Sequence, residues 1–131
     1  MSFRIACTSS FVRNRFLEPS QQSIPLINPY SLQESTRVSY AHHEDVQDAI
    51  ASAVEAQKAW YISHTPTQRR DKLLKLADAM SDIKEELAYL ETISNGKPIK
   101  DSRLDVNDSI DTVRYYAGFS DKLTGFYIIL M

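Results

Sequence analysis

The chain has 131 residues, which is enough for one domain with a hydrophobic core. Its net charge of −2, without any block of like charge, argues against a nucleic-acid partner. No apolar run approaches the roughly 20 residues that cross a bilayer, so we expect no membrane partner. The single cysteine, Cys7, excludes an internal disulfide and fits a reducing compartment. We therefore predict a cytoplasmic protein.

The amino-terminal segment leaves one alternative to a cytoplasmic location. Residues 1–17 contain Arg4, Arg13 and Arg15 but no acid, a composition typical of mitochondrial presequences. The residues from Phe11 to Leu17 are instead typical of an amino-terminal strand, which is the interpretation we prefer. Residues 1–10 are predicted to form a flexible amino terminus.

The first forty residues are predicted to form short strands separated by turns. A strand begins at Phe11, and 24–27 is a second extended segment whose proline confines it to a sheet edge or strand end. Residues 28–31 form a turn, since a residue before proline avoids the helical region. A third strand covers 36–40. Two or three such strands bury too little surface to be stable alone.

From His43 onward the pattern of apolar residues becomes helical. The first helix is predicted to end near Tyr61, and the second begins at Thr65–Pro66, where threonine caps the helix and proline takes its first position. The positions on the inner face of the first helix are Val46, Ala49, Ile50, Ala53, Val54, Gln57 and Trp60. Those of the second are Leu73, Leu74, Leu76, Ala77 and Met80.

The third predicted helix is capped by Ser81–Asp82 and ended by Asn95–Gly96, with Pro98 preventing the helix from restarting. The fourth runs from about Ser102 to Lys122. Its apolar stripe of Val106, Ile110, Val113 and Ala117 is widened by Tyr115, Tyr116, Phe119 and Leu123. A helix that is apolar on most sides is normally buried on most sides. The other three predicted helices and the few strands are too small to cover the fourth helix in this way.

Five groups of residues are candidates for chemistry, each with a simpler alternative. The run His42 to Asp45 has metal-ligand residue types, but adjacent side chains at a helix start diverge, which favours a solvated helix start. His64 is predicted to lie on the surface. Cys7 has only Arg4 nearby to stabilise a thiolate, so we do not expect it to be a nucleophile.

The remaining candidates are acids and aromatics. Asp105 and Asp108 stand one helical turn apart and could act as an acid–base pair, with a solvated helix face as the simpler reading. Trp60, Tyr115 and Tyr116 have the rings for base stacking, but no basic stripe accompanies them, so core packing is the better prediction.

Three blocks of the sequence resemble the amino-terminal region of the aldehyde dehydrogenase superfamily. The first is Ile24 to Pro29, which ends in Ile-Asn-Pro. The second extends from Glu44 through Trp60 and from Thr65 to Arg70. The third is Leu-Glu-Thr-Ile-Ser-Asn-Gly-Lys-Pro at 90–98 followed by Arg-Tyr-Tyr-Ala-Gly-Phe-Ser-Asp-Lys at 114–122. The blocks are collinear over about residues 11–125.

The resemblance implies an α/β fold in which short amino-terminal β-strands precede three to four amphipathic helices. Residues 11–125 would be an incomplete amino-terminal part of the dinucleotide-binding domain. The segment 126–131 departs from the family pattern and forms an apolar, β-prone tail, an aggregation hazard unless covered. A truncated gene product, a mis-spliced reading frame or a deliberate fragment would each account for this departure.

The family oxidises aldehydes to carboxylic acids with NAD or NADP. A cysteine thiolate attacks the carbonyl, hydride passes to the nicotinamide, and water activated by a glutamate releases the acid. The resemblance implies that these residues and the cofactor site belong to segments after Met131, so no catalytic or cofactor-binding residue is expected within the chain, and it is predicted to be inactive by itself. The alternative is a non-catalytic helical module that binds a full-length aldehyde dehydrogenase, another partner or itself through uncovered helix faces.

One site is implied within the chain. Many family members hold a monovalent cation between backbone carbonyls before the Asn-Pro turn and a carboxylate on the third long helix. These positions match Leu26, Ile27 and Asp105. Hard oxygen ligands suit such an ion. The alternative is that Asp105 is only an acid on the helix surface.

Overall fold

The structure, a computed structural model, describes residues 8–122. Its elements in chain order are β1 (Phe11–Val12), β2 (Arg15–Phe16), β3 (Ser23–Ile27), β4 (Glu34–Ser39), α1 (His43–Ser63), α2 (Pro66–Asp82), α3 (Lys84–Asn95) and α4 (Ile99–Phe119). Short strands followed by four helices confirm the predicted α/β class. Most of the predicted flexible segment at 1–10, including Cys7, and all of the predicted tail at 126–131 lie outside the described residues.

The first two strands form a tight antiparallel hairpin. Phe11 pairs with Phe16 and Val12 with Arg15. Arg13 and Asn14 connect them with φ angles of 51° and 60°, as two-residue hairpin turns require. The prediction of one strand beginning at Phe11 and continuing to Leu17 was therefore wrong, because this left-handed pair reverses the chain.

The second hairpin joins β3 to β4. The strands are antiparallel, with an irregularity in the register between Leu26 and Ile27. The predicted turn at Asn28 is confirmed: its side-chain Oδ1 accepts a hydrogen bond from the backbone N–H of Tyr30 at 2.9 Å. The third predicted strand begins two residues earlier than expected, at Glu34.

Two helix starts follow their local capping signals. The backbone N–H of His42 donates to Asp45 Oδ2 at 2.8 Å at the start of α1. At α2, Gln68 N–H donates to Thr65 Oγ1 at 3.2 Å and Thr65 N–H donates to Gln68 Oε1 at 2.9 Å. This reciprocal pair is a capping box, so the start predicted at Thr65–Pro66 is confirmed.

Two other predicted helix boundaries were wrong. Ser81 and Asp82 do not cap α3, because α2 continues through Asp82 and α3 begins at Lys84 after the single junction residue Ile83. Pro98 does not prevent a helix; it is the N-cap residue of α4, which starts at Ile99 rather than near Ser102. A proline at a helix start loses no hydrogen bond, since the first amides of a helix have no partner within it.

The hydrophobic core lies where α2 and α3 pack against one side of α4. Ala77, Ala88, Val106 and Ile110 form its buried centre, and the partly buried side chains around it are Met80, Leu87, Ile99 and Val113. The alanines let the helix backbones approach closely. By contrast, α1 has no buried residue. The three later helices therefore make one packed unit, and α1 lies apart from its core.

Ion pairs add to the helix packing at its edges. Arg70 at the start of α2 donates to Asp121 Oδ2, just after α4, at 2.6 Å. Hydrogen bonds from Lys122 and then from Arg70 lower the pKa of Asp121 below its usual range. Arg103 of α4 donates to Glu85 of α3 at 2.8 Å. Among residues 8–122, no helix combines the length and the apolar character that a membrane span needs.

Gly96 ends α3 as the sequence predicts. Its φ of +77° is left-handed, and its N–H donates to the carbonyl of Thr92 at 2.9 Å. A Cβ at this position would stand 3.1 Å from side-chain atoms of Pro29 in the turn after β3. Gly96 therefore both caps α3 and brings the second hairpin against it.

Replacing Gly96 by alanine should lower the free energy of unfolding by about 1–2 kcal/mol, because the left-handed backbone costs about 1 kcal/mol for a residue with a Cβ and Pro29 must move. Gly118→Ala is the matched control. Gly118 lies within α4 with open space around it, so alanine there should stabilise the chain by up to about 1 kcal/mol. Urea unfolding measures both. Equal stability of the two variants would contradict this account of Gly96.

Candidate functional site: the corner between the second hairpin and the α3–α4 junction

The turn that follows Leu26 and Ile27 and the loop that binds Asp105 meet at one corner of the fold. Pro29 contacts Gly96, and Ser35 Oγ of β4 donates to the carbonyl of Ile93 at 3.5 Å. A cavity of about 290 Å³ at this corner is lined by Asn28, Tyr30, Thr92, Gly96, Lys97 and Pro98. The hairpin turn and the start of α4 thus share one small depression.

A cluster of three charged side chains spans the α3–α4 junction. The ammonium of Lys97 donates to Glu91 Oε1 at 3.0 Å and to the carboxylate of Asp105. The side chain of Lys97 is one-third exposed and that of Asp105 about half exposed. The loop holding Lys97 is fixed in turn, since its backbone N–H donates to Asn95 Oδ1 at 2.8 Å. Two carboxylates and one ammonium leave the cluster with one net negative charge.

The three predicted ligands belong to two elements, β3 and α4, that flank this corner. Leu26 and Ile27 end β3, at the register irregularity that precedes the Asn28 turn. Asp105 is in the second turn of α4, and its carboxylate is bound by Lys97. Carbonyl and carboxylate oxygens are suitable donors for a hard cation, but the ammonium already supplies positive charge to Asp105. The cation site stays a prediction.

Sequence reasoning missed Glu91 and Lys97. They are six residues apart, and Lys97 is eight residues from Asp105, so no helical spacing signals the contact. The left-handed turn at Gly96 is what folds these positions together. The sequence signal that could have found them was a lysine directly after a helix-ending glycine, with acids on both flanking helices.

The histidine-rich helix start makes no metal centre. His42 Nε2 lies 3.0 Å from Ser20 Oγ, and the Asp45 carboxylate caps the helix. Within residues 8–122 no three His, Cys, Asp or Glu side chains are arranged to hold a metal ion. His64 was predicted to be on the surface but is half-buried, with its ring 5.2 Å from that of Trp60 and Nδ1 buried without a hydrogen bond.

Asp105 and Asp108 do not act as a pair, and Asp108 instead lines an open depression on α4 together with Tyr115 and Tyr116. Asp105 pairs with Lys97, and Asp108 is exposed further along α4. Tyr115 and Tyr116 were predicted to pack in the core, which was wrong for the part of the chain described: they are 61% and 62% exposed. Their rings contact each other, with centroids 5.3 Å apart, and lie on the side of α4 away from its buried residues.

Comparisons with known proteins agree on one family. The aldehyde dehydrogenase family model matches residues 16–130. An aldehyde dehydrogenase of Emericella nidulans is 34% identical over 116 residues, which cover 88% of this chain and 23% of that protein. A betaine aldehyde dehydrogenase of Bacillus subtilis is 33% identical over 114 residues, covering 86% of this chain and 23% of that protein.

The same relationship appears in three dimensions. The crystal structure of betaine aldehyde dehydrogenase from Staphylococcus aureus in complex with NAD+ superposes with a TM-score of 0.84 at 29% identity. The superposition covers 93% of this chain and 25% of that structure. The chain therefore spans about a quarter of the length of the relatives it matches.

Proposed function

Because the chain belongs to the aldehyde dehydrogenase family, we propose that it is the amino-terminal part of an oxidoreductase that converts an aldehyde to a carboxylic acid with NAD or NADP. The collinear match over residues 16–130 carries this proposal. The similar Staphylococcus aureus structure contains NAD+, which supports a nicotinamide cofactor for the whole enzyme. A cytoplasmic location is part of the same proposal.

The chain by itself is proposed to be inactive. Chemistry of this family needs a cysteine thiolate, and Cys7 is the one cysteine of the chain. Cys7 precedes the residues that match the family, which begin at 16, so it does not correspond to a nucleophile within the matched region. The corner around Lys97 offers an ion-pair cluster with no nucleophile beside it. Catalysis therefore requires residues from outside this quarter of the fold.

Purified 131-residue chain should produce no NADH when mixed with NAD+ and an aldehyde, because residues 8–122 contain no cysteine that could act as the nucleophile. Absorbance at the NADH band measures this, with the Bacillus subtilis relative as the positive control. Turnover that scales with the concentration of the chain and disappears in Cys7→Ser would contradict the proposal. The Cys7→Ser arm also separates true turnover from a contaminating dehydrogenase.

A second candidate function is non-catalytic binding to a full-length aldehyde dehydrogenase. The observation that favours it is apolar surface left open on α4, where Tyr115 and Tyr116 are mostly exposed. Exposed apolar patches of several hundred Å² mark interaction surfaces or aggregation sites. A pull-down with a full-length relative tests it, since an inert chain should capture nothing.

We also propose a monovalent cation at the carbonyls of Leu26 and Ile27 and the carboxylate of Asp105. The contact of Pro29 with Gly96 supports it, because it brings the end of β3 to the junction that holds Asp105. Lys97 lies against the same carboxylate. An external cation would thus share Asp105 with the ammonium, and binding should be weak while Lys97 is present.

The thermal midpoint of unfolding tests the cation site when potassium chloride is compared with choline chloride at equal ionic strength. An ion at ten times its dissociation constant stabilises the folded state by about 1.4 kcal/mol. The gain in potassium should vanish in Asp105→Asn and grow in Lys97→Met, which removes the competing ammonium. Each variant is its own control across the two salts. Identical midpoints in both salts for the wild type and Lys97→Met would rule the site out.

A further inference from the structure

A depression beside the loop between α1 and α2 is lined mainly by side chains that donate hydrogen bonds. It has a volume of about 410 Å³, and its lining residues are Ser63, His64, Gln68, Asp71, Lys72 and Lys75. This volume falls within the range of about 300–1,000 Å³ in which proteins bind small molecules. Neither the proposed oxidation nor the proposed cation site uses any of these residues.

Three of the lining side chains lie on one side of α2. Gln68, Lys72 and Lys75 follow one another at intervals of four and three residues, which places them along one face of a helix. All three are exposed. No hydrogen bond or ion pair joins the ammonium of Lys72 or of Lys75 to another of residues 8–122. Two unpaired positive charges therefore lie one helical turn apart at the depression.

Of the described residues that line the depression, Asp71 is the one acid, and its charge is already balanced. Arg70 donates to Asp71 Oδ1 from Nε at 3.0 Å and from Nη2 at 2.8 Å. Arg70 also donates to Asp121 at 2.6 Å, and Lys122 donates to that second carboxylate at 2.8 Å. Because Arg70 and Lys122 together balance the two carboxylates, the charge of the two lysines of the depression is not cancelled.

The uncharged side chains supply further donors. Gln68 Oε1 accepts a hydrogen bond from the backbone N–H of Thr65 at 2.9 Å, which leaves the two N–H bonds of its amide for a ligand. The Nδ1 atom of His64 is buried and has no hydrogen bond. Since a buried N–H without a partner is costly, the hydrogen of the neutral ring belongs on Nε2, at the edge of the ring away from Nδ1. That N–H is then a donor at the depression.

The loop that carries His64 is held in place by its neighbours. Its carbonyl accepts a hydrogen bond from Arg69 Nη1 at 2.6 Å. Its ring lies against that of Trp60, with centroids 5.2 Å apart. The guanidinium of Arg69 lies 5.9 Å from the centre of the Tyr61 ring. These contacts order the loop in advance, so that binding a ligand there costs less conformational entropy.

We propose that this depression binds a phosphate group, as the free ion or as the phosphate ester of a small metabolite. The two ammonium groups match the charge of nearly −2 that a phosphate carries at neutral pH. The N–H groups of Gln68 and His64 are donors for its remaining oxygens. A carboxylate has one charge and two oxygens, so it would leave part of this set unused. The inference goes beyond the proposed function and does not rest on it.

The fluorescence of Trp60 tests the site, because Trp60 is the single tryptophan of the chain and its ring contacts that of His64. The 131-residue chain is titrated with sodium phosphate while sodium chloride is lowered to keep the ionic strength constant. A saturable change in fluorescence is expected. Lys72→Met and Lys75→Met should each raise the Kd about threefold, the size expected for the loss of one exposed ion pair, and the double variant should raise it about tenfold.

Lys84→Met is the matched control. Lys84 is an exposed lysine at the start of α3, and removing its charge should leave the Kd for phosphate unchanged. Glycerol 3-phosphate extends the titration to an ester. Tighter binding of this ester than of inorganic phosphate would support the site and assign it to phosphate esters, whereas equal binding would support the site and assign it to the free ion.

Three results would overturn the inference. The first is no saturable change with either phosphate compound. The second is an equal rise in the Kd in Lys84→Met and in the two variants of the depression. The third is a change of the same size and midpoint with sodium acetate, which would show that any anion suffices. None of these results would alter the expected absence of NADH formation, and NADH formation by the chain would leave the phosphate titration unchanged.

Discussion

Packing of α2 and α3 against one side of α4 is the interaction on which the rest of this structure depends. It buries the cluster of Ala77, Ala88, Val106 and Ile110, in which the two alanines allow close approach of the helices. The turn at Gly96 then fixes where the second hairpin meets that unit, through Pro29. Since so few side chains are fully buried, the stability of the isolated chain is expected to come mainly from these three helices. Helix α1 contributes little, because it buries none of its residues.

The features that sequence reasoning found are those with local signals. Thr65 and Gln68 form a capping box across three residues, and Gly96 ends α3 through its own left-handed backbone. The features it missed depend on contacts between distant parts of the chain. The reversal at Arg13–Asn14 has no glycine to mark it, and the Glu91–Lys97–Asp105 cluster exists only after the α3–α4 corner has formed.

The wrong prediction for Tyr115 and Tyr116 is more informative about function. Tyr115 and Tyr116 were expected in a core, because a helix apolar on most sides is normally buried on most sides. They are exposed in the described chain, and the chain spans about a quarter of the length of the proteins it matches. Family membership is clear from the match over residues 16–130, whereas the absence of activity in this chain stays a proposal.

The central claim is that this chain has a stable three-helix unit beside a helix whose apolar side is left open. Native-state amide hydrogen exchange on the 131-residue chain tests it most directly, because protection reports local opening free energies along each element. The account predicts slow exchange for the α4 amides around Val106 and Ile110, and exchange in α1 from Val46 to Val54 that is faster by orders of magnitude. Protection of α1 equal to that of α4 would show that its apolar side is already covered and would contradict the account.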